Sequence, residues 1–300
     1  MGPLFDIYRE IIPDFPSFLE SLHAPLPTHL RVNRIKIPPS DLIRILKEKG
    51  IELKRSLRSD EDLLLAPSLD SPGNLMEYSL GYYHPQALTS CLASLLLGVK
   101  PGSLVLDLCA SPGGKTSHLA RLMHNTGLIV ANELYIRRHI PLSHTLGRLG
   151  VLNTVITAYP AQEFPLRQRF DFILADVPCS GEGRFRWSKG SSRYEEKKAR
   201  SRLYALQKRA ILRAFDLLKE HAVMVYATCT YNPDENEAVV DFLLSRRDAE
   251  VLPFDFGLRS EPGLAAWEGK VYDRGVQRAM RFYPHRVDSV GFFMARVGKR

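Results

Sequence analysis

Short apolar runs alternate with amphipathic stretches through the last two thirds of this 300-residue chain. SLVLDL, GLIVAN, TVITA, FDFILADV and AVMVYATC are rich in apolar and β-branched residues, as buried strands are. Between them lie SHLARLMH, RRHIPLSHTLGRLG, the long 195–219 segment and NEAVVDFLLSRR, all with helical spacing. This alternation predicts an α/β fold, a mostly parallel sheet with helices on both faces. AEVLPF and GFFMARV add late strands at an edge. Ligands of such sheets bind beyond the carboxyl ends of the strands, so chemistry is expected in the loops after Leu108, Asn132, Ala158, Val177 and Cys229.

The first 75 residues follow another pattern. Seven prolines fall in the first 40 positions; then HLRVNRIKI reads as a strand, PSDLIRILKEKG as a helix started by Ser40 or Asp41 and stopped by Gly50, and IELKRS and DLLLAPS as further strands. The expectation is a small α+β unit over 1–75 and a larger domain over 76–300. GYYHPQALTSCLASLLLGVKPG, with Leu88, Cys91, Leu92, Leu95 and Leu96 on one face, reads as the helix that opens the larger domain.

Composition narrows the function. With 45% hydrophobic and 25% charged residues the chain can bury a full core. No apolar run reaches the ~18–20 residues of a membrane span, and the N-terminus lacks a secretory layout, so a cytoplasmic protein is expected. Cys91, Cys109, Cys179 and Cys229 lie too far apart for a zinc site or disulfide framework, so no metal is expected. Lys and Arg exceed Asp and Glu by 41 to 33, a net charge of +8. Residues 1–75 are nearly neutral, with 10 basic and 11 acidic side chains, whereas 184–213 alone holds 11 basic and 2 acidic. So one-sided a segment suits a phosphate backbone better than a merely solvated face.

The loop DLCASPGGKTSHLA joins the first strand of the sheet to its helix, where glycines allow close backbone approach and the helix start favours an anion. It is not a P-loop, because Cys109 stands where that motif requires glycine. Glu133 follows the next strand, roughly 20 residues on, where a carboxylate accepts ribose hydroxyls. Asp176, Pro178 and Cys179 end the fourth strand and Cys229 the fifth, so two thiols and a carboxylate are expected in one cleft. Either cysteine alone would read as a buried inert thiol; their paired placement argues otherwise. Methylating carbon 5 of cytosine requires a thiolate to add at carbon 6, a carboxyl to hold ring nitrogen 3 and a second group to assist release. This set matches.

DLCASPGGKT, ANE with Arg138 beyond it, DVPCSGEG, ATCTYNPDENE and RFYPHRVDSVGFFMARVGK resemble the motifs of the Sun-type (Nop/Sun) RNA cytosine-C5 methyltransferases. The resemblance is dense from about residue 76, and LRVN with GYYHPQALTS is similar to that family's N-terminal RNA-binding region. It implies a class I methyltransferase domain, Rossmann-like, behind an RNA-binding unit. It implies S-adenosylmethionine held by Cys109, Ala110, Ser111, Pro112, Gly113, Gly114 and Lys115, with its ribose on Glu133, supported by Arg138, and its methyl near Asp176. Cys229 would be the nucleophile, Cys179 would assist release and Asp176 would contact the cytosine.

One position departs from the family: an Asp that contacts the adenine end is replaced by Pro160, a loss of about 1–3 kcal/mol unless backbone carbonyls or Gln162 substitute. RNA, ribosomal or transfer, is the expected partner of a monomer. Arg184, Arg186, Arg193, Lys197 and Arg200 would line the cleft edge, with Phe185, Trp187 and Tyr194 for base stacking, and Arg31, Asn33 and Arg34 would form a second contact. Rival readings are an assembly factor that binds RNA without catalysis, a P-loop ATPase with Asp176 as its acid, and a small-molecule methyltransferase.

Overall fold

The structure, a computed structural model, describes residues 5–187 and 197–299. Its N-terminal sheet contains β1 (His29–Val32), β2 (Lys54–Leu57), β3 (Asp60–Leu65) and β4 (Tyr83–Pro85), antiparallel in the order β2-β3-β1-β4. β1 stops at Val32 rather than running through RIKI, because the Asn33 amide turns inward to donate to the carbonyls of Gly81 and Leu149, both at 2.8 Å. A helix over Pro39–Glu48 packs on this sheet, Leu42 and Leu46 meeting Leu30, Val32 and Leu64. It starts at Pro39, just before the expected Ser40, since proline at the first helical position forfeits no hydrogen bond.

The expected division at residue 75 needs correction at both ends. β4 comes from beyond it, so the N-terminal sheet extends to Pro85 and the following helix is shorter than expected, Leu88–Leu97. At the other end, the short helix Phe15–Ser21 leaves the N-terminal sheet altogether. Phe5, Tyr8, Phe15 and Phe18 instead form an aromatic cluster with Phe185, Tyr231 and Tyr283 of the larger domain.

The larger sheet has β5 (Leu104–Asp107), β6 (Leu128–Asn132), β7 (Thr154–Thr157), β8 (Phe170–Asp176) and β9 (Leu218–Thr228) in parallel. β10 (Ala249–Leu252), β11 (Glu261–Pro262), β14 (Met280–Phe282) and β15 (Phe292–Lys299) extend it antiparallel, while β12 (Ala266–Trp267) and β13 (Lys270–Val271) form a separate ribbon. The order β11-β14-β15-β9-β8-β5-β6-β7, with β10 beside β15, turns back on itself at β5, and that switch point opens a crevice at the carboxyl ends of the strands.

Strand residues alternate between two cores, as a period of two requires. Leu106, Ile173 and Met224 face the helices Lys197–Asp216 and Glu237–Leu244; Val105, Leu174 and Val225 face Leu88–Leu97 and Gly114–Leu122. A buried leucine contributes about 1.5–3 kcal/mol. Leu88, Leu92, Leu96 and Leu97 therefore fasten the helix that links the two sheets, and Leu57 and Leu63 of the N-terminal sheet join the same core. The remaining helices are Met76–Ser79, His139–Leu149 and Pro284–Val287. Among the described residues no helix is long and apolar enough to cross a membrane.

Candidate active site

The loop after β5 holds its shape for a steric reason. Gly113 has φ of 99°, and a Cβ there would lie 3.1 Å from Leu142 and 3.2 Å from Thr145 on the helix His139–Leu149. Only glycine meets both demands. Beyond it, Lys115 donates to Asp176 at the end of β8 (Nζ···Oδ2 2.6 Å). Burial alone would lower the lysine, but Asp176 outweighs it and holds Lys115 above its ordinary value. Thr116 donates to Asp107 Oδ2 at 2.7 Å, while Asp107 Oδ1 is buried without a hydrogen-bond partner. Burial accordingly pushes the Asp107 carboxyl up to about 6.

β6 places Glu133 at the next corner. Arg138 Nη1 pairs with its Oε2 at 3.0 Å and the Tyr135 backbone N–H donates to its Oε1 at 3.0 Å. Arg138 also donates to the Ser111 carbonyl (3.0 Å) and accepts from the Ser111 hydroxyl through its own carbonyl (3.1 Å), tying this corner to the glycine loop. Asn132 beside it donates to the carbonyls of Leu108 and Tyr159 and accepts from Thr157 and the Tyr159 N–H.

β8 and β9 lie side by side and deliver the two thiols together, Cys179 Sγ 3.4 Å from Cys229 Sγ. The Cys229 backbone N–H donates to Cys179 Sγ at 3.3 Å. The Cys179 thiol pulls Cys229 below its ordinary value over the opposing effect of burial, with Lys115 and Arg184 helping and Asp176 resisting. Cys179 is pushed up by that same hydrogen bond and by burial. The pairing with Cys179 thus favours ionisation of Cys229 over ionisation of Cys179. The other two cysteines are not poised: burial pushes Cys91 up to about 12 and, with Asp107 beside it, holds Cys109 well above its ordinary value.

A network that the sequence did not announce locks the cysteine loops together. Buried Glu235 accepts from the Ser180 N–H and from Gln207 Nε2, each at 2.9 Å, and Gln207 also donates to the Pro178 carbonyl at 2.9 Å. Thr230 donates to Glu182 (3.0 Å), which also accepts from Tyr8 (2.9 Å). Gly183 donates to the Cys229 carbonyl and accepts from the Gly291 N–H, both at 2.9 Å; a Cβ at Gly183 would fall 2.1 Å from the Gly291 oxygen. The DENE run and the glycines of CSGEG were the available signals.

Beside them opens a cleft of about 350 Å³, lined by Cys109, Ala110, Ser111, Pro112, Gly114, Lys115, Arg138, Asp176, Arg184 and Cys229 among others. Such a volume suits a small ligand. S-adenosylmethionine fits the residues present: the glycine loop admits close approach, and Asp107, which lines the cleft and whose Oδ1 has no hydrogen-bond partner, suits an ammonium. Pro160 supplies no acceptor side chain, and the Gln162 amide is directed to Glu163 at 3.4 Å. Among the described residues no group of three or more His, Cys, Asp or Glu side chains is arranged to hold a metal.

Several expected RNA contacts are elsewhere. Arg31 is buried, donating to Gln86 Oε1 (3.0 Å), Ser117 Oγ (2.8 Å) and the Gly114 carbonyl (3.2 Å), and so staples the N-terminal sheet to the glycine-loop helix. Asn33 is buried by its two carbonyl bonds, and Arg34 is paired with Asp62 (2.5 Å) and Glu61. Arg186 is buried on the carbonyls of Phe185 (2.7 Å) and Ser289 (3.2 Å), and Phe185 itself is in the aromatic cluster. Arg184 and Trp187 are exposed. Lys197 and Arg200 fall on the first turn of the helix Lys197–Asp216, and Arg193 and Tyr194 lie outside the described residues.

The family model described as 16S rRNA methyltransferase RsmB/F matches residues 94–298. The chain belongs to this family. It is 34% identical to the human 28S rRNA (cytosine(4447)-C(5))-methyltransferase over its whole length, although it spans only 37% of that protein. It is 35% identical to the tRNA (cytosine(49)-C(5))-methyltransferase of Pyrococcus abyssi, covering 95% of this chain and 92% of the relative. Among solved structures, a methyltransferase homologue from Pyrococcus horikoshii superposes with a TM-score of 0.87 at 32% identity, covering 100% of this chain and 96% of the other. NSun6 from Pyrococcus horikoshii, at 22% identity and a TM-score of 0.86 over 100% and 98% of the two chains, shows the same class I methyltransferase fold. Family membership sets the P-loop ATPase reading aside.

Proposed function

We propose that this chain methylates carbon 5 of a cytosine in RNA, using S-adenosylmethionine and a covalent adduct through Cys229. The observation that carries this reading is the 3.4 Å pairing of a lowered Cys229 with a raised Cys179 at the ends of adjacent strands, in the cleft shared by Lys115, Asp176 and the glycine loop. Relatives named as RNA cytosine-C5 or ribosomal RNA methyltransferases support an RNA substrate.

Cys109 to Lys115, Glu133, Arg138 and Asp107 would hold the cofactor, which when bound supplies an electrophilic methyl carbon. The Cys229 thiolate adds to carbon 6 of the ring, leaving carbon 5 electron-rich. Asp176, positioned by Lys115, would accept from the cytosine 4-amino group and from nitrogen 3 once thiolate addition makes that nitrogen basic enough to take up a proton. After methylation a base, water admitted by the open cleft, takes the carbon 5 proton; the carbon–hydrogen pair becomes the carbon 5–carbon 6 double bond, the carbon 6–sulfur bond breaks and its electron pair returns to Cys229. The Cys179 thiol, with its sulfur 3.4 Å from that of Cys229, would donate to the departing sulfur. The base must be flipped out or unpaired to reach the cleft.

Phosphate attraction falls to Arg184 at the cleft edge and to the basic start of the helix Lys197–Asp216. The N-terminal unit would add exposed Lys54, Arg55 and Arg58 rather than Arg31 and Asn33. Both ribosomal and transfer RNA match relatives' names. Cys229→Ala should abolish 5-methylcytosine formation, and Cys179→Ala should accumulate a covalent protein–RNA species. Normal methylation by Cys229→Ala would overturn the assignment.

A further inference from the structure

The cleft has three walls, and two are already accounted for. One is the corner of Ser111 and Arg138, with Glu133 behind Arg138, proposed for the ribose; another is the Asp176–Cys229 end, where the base would react. The third is the segment His84–Ser90, which runs from β4 of the N-terminal sheet into the helix Leu88–Leu97. A sulfonium carries three substituents. With its ribose arm toward the first wall and its methyl toward the second, the amino-acid arm of the cofactor has the third.

The chemistry of that wall is legible. His84 Nδ1 lies 3.0 Å from Arg148 Nη2. A guanidinium only donates, so Nδ1 accepts and the ring proton is on Nε2. Burial, reinforced by Arg31 and Arg148, holds this imidazole down to about 3, so it stays neutral at physiological pH. Nε2 sits at the start of the glycine-loop helix, 3.1 Å from where a Cβ on Gly114 would be, and makes no hydrogen bond to a described residue. No carboxylate occurs between His84 and Ser90, whereas the Arg31 and Arg148 guanidinium groups stand behind it. That electropositive wall suits an anion, and Asp107, which also lines the cleft and has an Oδ1 without a hydrogen-bond partner, suits the ammonium.

We propose that His84 recognises the carboxylate of the cofactor's methionine arm, donating from Nε2–H, with Arg148 as the positioning residue that fixes its tautomer. The N-terminal sheet thereby completes the cofactor site as well as flanking it. This rests on the reading that the cleft takes S-adenosylmethionine.

Calorimetry on the full chain tests it with two ligands, S-adenosylmethionine and its decarboxylated analogue. His84→Phe should weaken S-adenosylmethionine about 10-fold, the loss of one charge-assisted hydrogen bond, and change the analogue less than about 2-fold. Equal weakening of both ligands, or of neither, overturns the proposal. A measurement on the native protein is independent of how the variant folds: in nitrogen-15 histidine NMR, the His84 Nε2–H proton should move downfield with S-adenosylmethionine and not with the analogue. No difference between the two ligands overturns it. If the native protein binds neither ligand, the cofactor reading itself fails and takes the proposal with it.

Discussion

Replacing Cys179 with alanine removes the one thiol that donates to Cys229, across 3.4 Å. A hydrogen bond to a charged acceptor is worth about 1.5–3 kcal/mol, so the thiolate fraction of Cys229 near neutral pH should fall about 10- to 100-fold. The remaining thiolate is more basic and intrinsically more nucleophilic, which recovers a little under half of that loss on a logarithmic scale and leaves reaction about 3- to 13-fold slower. Iodoacetamide alkylation followed by peptide mass spectrometry reads the effect at Cys229 alone, with Cys91 and Cys109 as slow internal controls because burial raises both. In the native protein the alkylation rate should climb with pH over a range below that of an ordinary thiol, since the Cys229 thiolate is favoured; in Cys179→Ala the climb should move to higher pH. If Cys229 in the variant alkylates as fast as in the native protein, Cys179 does not stabilise the thiolate and its donor role is wrong.

Arg184→Glu should lower the salt dependence of RNA binding by about one contact or more, while Arg31→Met should leave that slope unchanged and destabilise the fold by about 2–3 kcal/mol through the orphaned acceptors on Gln86, Ser117 and Gly114, as filter binding and denaturant melts would show. Gly183→Ala puts a methyl 2.1 Å from the Gly291 oxygen, so the Pro-Cys loop must shift; kcat should drop at least about 10-fold with cofactor affinity retained, and an unchanged kcat would show that the loop register is not critical.

The strands, the loops that end them and the pairing of the two cysteines could be read in advance because each depends on local pattern and strand order. Leu106 and Val105 face opposite cores simply because side chains alternate along a strand. What sequence order hid were contacts between distant segments. Arg31 and Asn33 carry polar groups that usually face water, yet their partners Ser117 and Leu149 arrive from the other domain and bury them. The N-terminal aromatics look like part of the first unit until Phe5 and Phe18 meet Tyr231. Glu235 and Asp107 lie inside recognisable motifs, but only the fold shows that one ties both cysteine loops and the other keeps a free oxygen on the cleft floor.

The central claim is that the Cys229 sulfur attacks carbon 6 of the target cytosine. RNA containing 5-fluorocytidine lacks the carbon 5 proton whose loss permits release, so incubation with S-adenosylmethionine should trap the adduct for peptide mapping. A methylated fluoro-adduct is expected on the peptide containing Cys229 and none on the peptide containing Cys179. An adduct on Cys179, or methyl transfer with no adduct on either, would contradict that claim.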